Sequence, residues 1–123
     1  MGALQASGKE WGQSSSDEEI VDTARESLVA GVNLIETAEE YGKGYSEQVV
    51  GKALKEVGRD NFVVATEVFG QHLRYEEKLA PASIRRWGVT EIDLYQVHWA
   101  DPWEQIPLRH TFRALEKLYD QEK

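Results

Sequence analysis

Asn33-Leu34-Ile35-Glu36-Thr37-Ala38-Glu39-Glu40-Tyr41-Gly42 is the stretch that decides how this chain folds. A short apolar strand over Val32–Ile35 runs into an acidic loop that carries a tyrosine. Two further runs repeat the pattern. Phe62-Val63-Val64-Ala65-Thr66 ends at Glu67, and Ile92 to Val97 ends at His98. The residue directly after each run is therefore titratable. Strands near residues 32–36, 62–66 and 92–97 would deliver Glu36, Tyr41, Glu67 and His98 to one rim of a parallel sheet.

The segments between these runs read as helices. Ser16 and Glu19 form an S-x-x-E capping box, in which each side chain satisfies an orphan N–H of the first turn. Ile20, Val21, Ala24 and Leu28 then make one apolar stripe, and Gly31 can take the left-handed conformation that stops a helix. Ser46 is positioned to cap a second helix, with Val49, Val50, Ala53, Leu54 and Val57 inward and Gly58 as its stop. A third helix is expected from Leu79 to Trp87, with Pro81 disfavouring helix just before it. Pro107 opens a fourth, with Phe112, Leu115 and Leu118 inward, since proline suits the first helical position. Strands recurring about every 30 residues match a βαβ repeat with right-handed crossovers.

Composition narrows the functional classes. The chain has 123 residues, 41% of them hydrophobic, a formal net charge of −8 and no cysteine. That length suits one ordinary domain. An acidic chain has no electrostatic reason to bind nucleic acid or an anionic membrane. Without cysteine there is neither a disulfide framework nor a thiolate nucleophile. No apolar run approaches the roughly 20 residues that span a bilayer, and Met1 to Gly12 lacks the pattern of a signal peptide. A cytoplasmic location is the resulting expectation.

Two folds use such a repeat, a doubly wound sheet and a (β/α)8 barrel. Neither G-x-G-x-x-G after a strand nor G-x-x-x-x-G-K-[ST] is present, so the phosphate loops of the first are missing. Gly42-Lys43-Gly44 reads as a short, flexible glycine turn ahead of a helix. Acidic and aromatic groups at strand C-termini fit the barrel, whose active sites lie on that face.

The order and spacing of several motifs resemble the aldo-keto reductases. Gly31-Val32-Asn33-Leu34-Ile35-Glu36-Thr37-Ala38-Glu39-Glu40-Tyr41-Gly42 is similar to the family pattern G-x-N-x-x-D-T-A-x-x-Y-G, and Gly44-Tyr45-Ser46-Glu47 to the G-x-S-E that follows it. Ser83-Ile84-Arg85-Arg86-Trp87-Gly88-Val89 resembles S-L-x-R-L-G-V, and Ile92 to Trp99 resembles the strand that ends in a histidine. The resemblance covers essentially the whole chain. It implies a partial TIM barrel, here a single truncated (β/α)4 domain over residues 1–123, with Met1 to Gln5 as the tail of a first strand. It also implies an NADP-dependent oxidoreductase that reduces aldehydes or ketones.

By the same resemblance the family's catalytic Asp, Tyr, Lys and His fall on Glu36, Tyr41, Glu67 and His98, with Glu36 also beside the cofactor. Tyr41 would be the general acid that protonates a carbonyl oxygen. The family lysine makes that tyrosine more acidic, and Glu67 reverses its charge, which should raise the Tyr41 pKa. Glu36 keeps a carboxylate but adds a methylene. A typical barrel takes about 250 residues, and the family's main contacts to the cofactor's phosphates belong to the half that this chain does not contain. Impaired or absent activity is therefore expected of the chain as it stands.

Two alternatives stay open. One is a catalytically inactive half-barrel remnant with a structural or partner-dependent role. The other is a divalent-metal site built from Glu36, Glu67 and His98, which are the ligand types of a facial triad. Each residue also has a plainer reading: a packed rim tyrosine, a core-edge histidine, two solvated carboxylates. Trp99 and Trp103 could wall a substrate or simply pack. His72 and His110 match no catalytic position and are expected at the surface. The expected partners are a small carbonyl substrate, if the chain is active, and further copies of the chain itself. Self-association follows because a half barrel leaves its inner face bare, with Ile35, Val64 and Leu94 expected there, and two half barrels could close into one.

Overall fold

The computed structural model describes residues 1–11, 15–69, 76–99 and 107–121. Its regular elements are α1 (Asp17–Val29), β1 (Leu34–Ala38), α2 (Tyr45–Val57), β2 (Val63–Val68), α3 (Glu76–Trp87), β3 (Leu94–Val97) and α4 (Leu108–Asp120), in strict alternation. The three strands form one parallel sheet in the order β1-β2-β3. Gly2 adds a parallel bridge to Glu36 on the far side of β1, closed by Ala3 N donating to Glu36 O at 2.8 Å and Glu36 N to Met1 O at 2.9 Å. The expected first-strand tail, Met1 to Gln5, is thus reduced to this one bridge, because Leu4 already opens a 3-10 segment.

Local chemistry explains the helix ends. Ser16 Oγ accepts from Glu19 N at 3.2 Å, and the Glu19 carboxylate accepts from Ser16 N at 2.7 Å, the reciprocal box read from the sequence. At the other end of α1, Gly31 has φ 81°. Gly31 N donates to Leu28 O and Val32 N to Ser27 O, the paired bonds of a Schellman stop. Ser46 is not a cap. The Gly42-Lys43-Gly44 turn runs through three consecutive left-handed residues, so α2 begins at Tyr45 with Gly44 as its flanking residue. Ser46 lies inside the helix, where its buried hydroxyl donates to Ala3 O and pairs with Thr37 Oγ1, each at 2.7 Å. Nor is the turn a loose linker, because Gly42 abuts the Ser7 carbonyl too closely to admit a Cβ.

Pro81 lies inside α3 instead of delaying its start. A proline there forfeits one backbone bond and costs about 3 kcal/mol or more. Ser83 and Trp87, 1% and 2% exposed, anchor the helix against that loss.

The sheet has two unlike faces. Side chains alternate along a strand, and Ile35, Thr37, Val64, Thr66 and Val68 point into the helix layer, none more than 1% exposed. Leu34, Val63 and Leu94 point the other way and are 42%, 41% and 43% exposed. The expectation that Ile35 and Val64 lie on the bare face is therefore wrong by one residue in each strand, while Leu94 does lie there. Glu36 fixes the parity. It belongs on the open face with the rim, which sends its neighbour Ile35 to the helices. On α4, Leu118 is buried, but Phe112 is 60% exposed and the inward positions beside Leu118 are Thr111 and Ala114.

Helix α2 is the hub of the helix layer, packing on both α1 and α3. Gly51 makes the second contact possible: a Cβ there would meet the Trp87 carbonyl oxygen at 2.5 Å. Gly51→Ala should therefore destabilise the fold. Overpacking costs about 1–3 kcal/mol, against about 1 kcal/mol regained from helix propensity. Urea denaturation checks the sign, and a variant more stable than the parent would show that α2 and α3 can separate freely. Among the described residues no helix is long and apolar enough to cross a membrane.

Candidate active site

The C-terminal ends of the three strands bring the four expected residues together. Glu36 projects from β1 over Gly2, and Glu67 from β2 on the same face. His98 follows β3 directly and is fixed by its own N–H, which donates to Val68 O at 2.9 Å. Tyr41 opens the left-handed turn, whose entry is tied to β2 by Glu39 N donating to Glu67 O at 3.1 Å.

His98 is the centre of the cluster. Its Nε2 lies 3.4 Å from Glu67 Oε2. The Tyr41 ring meets it edge-on at 5.5 Å between centroids, and Phe69 stacks on it at 5.0 Å with the rings 10° apart. Nδ1 of His98 is buried without a hydrogen-bond partner. Phe69 was not foreseen from the sequence. Its signal was the strand period, since it follows Glu67 by two residues and so shares its face.

The electrostatics are those of an acidic rim. Burial raises the Tyr41 pKa above the ordinary 10.0, and the carboxylates of Glu36 and Glu67 raise it further. Burial also raises Glu36 above 4.5, as does Glu67, against weaker lowering by His98 and the terminal amine. Among the described residues no lysine or arginine is among the groups that move either residue. Tyr41 is thus held as a neutral hydroxyl, able to donate a hydrogen bond to a carbonyl oxygen but reluctant to release its proton.

The remaining expectations divide. Among the described residues no three His, Asp or Glu side chains converge as metal ligands, so Glu36, Glu67 and His98 do not form the facial set; Nε2 of His98 faces a carboxylate instead. Trp99 is 62% exposed, and His110 is exposed on α4. His72 and Trp103 lie outside the described residues. Among the described residues the cluster offers a hydroxyl, an imidazole and two carboxylates.

Behind the rim lies a buried pair that sequence reading missed. Glu47 is fully buried at the start of α2. It accepts from Thr66 Oγ1 at 3.0 Å and from Arg86 Nε of α3, while Arg86 Nη2 donates to Ser83 Oγ at 3.1 Å. The guanidinium lies across Gly44, where a Cβ would meet Arg86 Cδ at 2.7 Å. One ion pair therefore locks the turn carrying Tyr41 to β2 and α3.

Comparison with known proteins agrees with this geometry. Residues 1–121 match the aldo/keto reductase family. An aldo-keto reductase of Bacillus subtilis is 36% identical over 98% of this chain, which covers 39% of that protein. An NADH-specific methylglyoxal reductase of Escherichia coli is 32% identical over 94% of the chain and 42% of its own length. Among solved structures, an aldo-keto reductase from Klebsiella pneumoniae in complex with NADPH superposes with a TM-score of 0.87 at 29% identity, over all of this chain and 41% of that one. The chain thus spans about two fifths of the relatives it matches.

Proposed function

The chain belongs to the aldo/keto reductase family, and from that premise we propose that it carries the proton-handling rim of an NADP-dependent reductase of aldehydes or ketones, impaired as this chain stands. One observation carries the reading: Tyr41, His98, Glu36 and Glu67, supplied by three separate strand ends, meet in one cluster. Nicotinamide nucleotide, when bound, supplies hydride to a carbonyl carbon. The chain's own part is to orient the carbonyl and to deliver a proton from the Tyr41 hydroxyl to its oxygen.

The same residues account for the impairment. Proton transfer is efficient when the donor's pKa lies near the operating pH, and the carboxylate of Glu67 moves Tyr41 the wrong way. Small displacement of a catalytic group is expensive, and Glu36 stands one methylene further out than an aspartate. A remnant with a structural or partner-dependent role is the second reading, supported by the same charge reversal. Titration of the purified chain with NADPH by fluorescence, followed by an aldehyde-reduction assay, separates the two. The expected result is weak or absent NADPH binding and no reduction above background. Turnover of aldehyde by the monomer would refute impairment, and firm NADPH binding would refute the remnant.

A further inference from the structure

The turn that carries Tyr41 is strained. Gly42, Lys43 and Gly44 stand at φ 60°, 55° and 88°, and Lys43 places a side chain in a region that favours glycine. Such a backbone persists where its surroundings over-determine it. Three holds come from nearby main chain: the Ser7 carbonyl against Gly42, Lys43 N donating to Glu40 O at 3.1 Å, and Glu39 N donating to Glu67 O at 3.1 Å. A fourth is a side chain from α3. Arg86 lies over Gly44, where a Cβ would meet its Cδ at 2.7 Å and its Nε at 2.8 Å.

The bonds of Arg86 give that contact a fixed origin. Its Nε donates to Glu47 Oε2, and its Nη2 donates to Ser83 Oγ at 3.1 Å. The other carboxylate oxygen of Glu47 accepts from Thr66 Oγ1 at 3.0 Å. Thr66 directly precedes Glu67 on β2 and faces the helix layer, so its neighbour faces the rim. One path through Gly44, Arg86, Glu47 and Thr66 therefore ties the turn to the strand that delivers Glu67. A guanidinium carries its donors in a rigid plane, so it holds a direction as well as a charge.

We propose that Arg86 is a positioning residue of the rim: anchored on Glu47 and Ser83, it fills the space over Gly44 and so sets the Tyr41 ring edge-on against His98. The inference rests on Tyr41 being the proton donor, since small displacement of such a group is expensive. A merely structural ion pair would behave differently. Well-packed apolar residues could replace it with no consequence at the rim.

NMR of the labelled chain reads this placement without turnover. In the parent, the rings of Tyr41 and His98, with centroids 5.5 Å apart, should show NOEs to each other. Glu47→Leu with Arg86→Ala removes the buried charge together with its partner, so the fold should survive while the space over Gly44 is emptied. Those NOEs should be lost. The Tyr41 titration midpoint should also fall toward 10.0, because burial is the largest cause of its elevation. Ser83→Ala takes away one anchor of Arg86 and should weaken the same NOEs in an intact fold, which decides the matter if the double variant does not fold. The control is Asp93→Ala at the other end of the sheet, where Asp93 accepts from Arg59 and from Val64 N. It should lower the urea midpoint and leave the Tyr41 and His98 signals unmoved. Full NOEs in the double variant or in Ser83→Ala, or their equal loss in Asp93→Ala, would overturn the proposal. No readout here involves aldehyde reduction, so failure of the carbonyl-reducing reading would leave all of them in place.

Discussion

Arg86→Met is expected to remove a large share of the stability of this fold. Glu47 is fully buried, and its carboxylate is held by the Arg86 guanidinium and the Thr66 hydroxyl. Removing one partner of a buried pair leaves an uncompensated charge and costs about 3–5 kcal/mol. A whole domain is stable by only about 5–15 kcal/mol. The loss is larger than the interaction is worth, because the desolvation of Glu47 remains after its partner has gone. Replacing both residues, Glu47→Leu with Arg86→Met, should therefore recover much of the loss, leaving the unmet Thr66 hydroxyl. Urea denaturation of the parent, both single variants and the double variant gives the coupling directly. A single-variant cost below about 1 kcal/mol would show that Glu47 is not held by this pair alone. The damage should also reach the site, since Arg86 lies across Gly44 and so supports the turn that presents Tyr41.

The alternation of strands and helices was legible because its signals are local. A capping box, a glycine at a helix stop and short apolar runs each act within a few residues, and at α1 the bonds they foretell are the bonds found. The rim was legible for another reason: a residue placed directly after a strand must emerge at its end, whatever the packing. Which face a strand residue takes was harder. Phe62 to Ala65 is apolar throughout and offers no alternation to assign faces, so Val64 could be placed only once Glu67 was known to share the open face with Glu36. Ser46 looked like a cap because a serine before an amphipathic helix usually is one. Here the left-handed Gly44 starts the helix earlier and frees the hydroxyl to bind Thr37 and Ala3. On α4 helical spacing alone places Phe112 inward, whereas it lies on the side that borders β3 and is exposed. The Glu47–Arg86 pair joins residues 39 positions apart, and no local pattern announces such a contact.

The proposed function rests on the Glu67 carboxylate standing beside the Tyr41 hydroxyl. The ionisation of Tyr41 tests that most directly. With the tyrosine ring carbons labelled, and Tyr41→Phe to identify the signal, its titration can be followed by NMR in the parent chain and in Glu67→Lys. In the parent, Tyr41 should titrate above the ordinary 10.0, held up by burial first and by Glu36 and Glu67 after it. In Glu67→Lys one of those carboxylates becomes an ammonium, which favours the phenolate, so the midpoint should fall. The substitution exchanges only one side chain on the rim, and Glu67 is part-exposed, so the fold should tolerate it. A Tyr41 midpoint at or below the ordinary value in the parent, or one that Glu67→Lys leaves unmoved, would contradict the account, because the two residues would then not share a site.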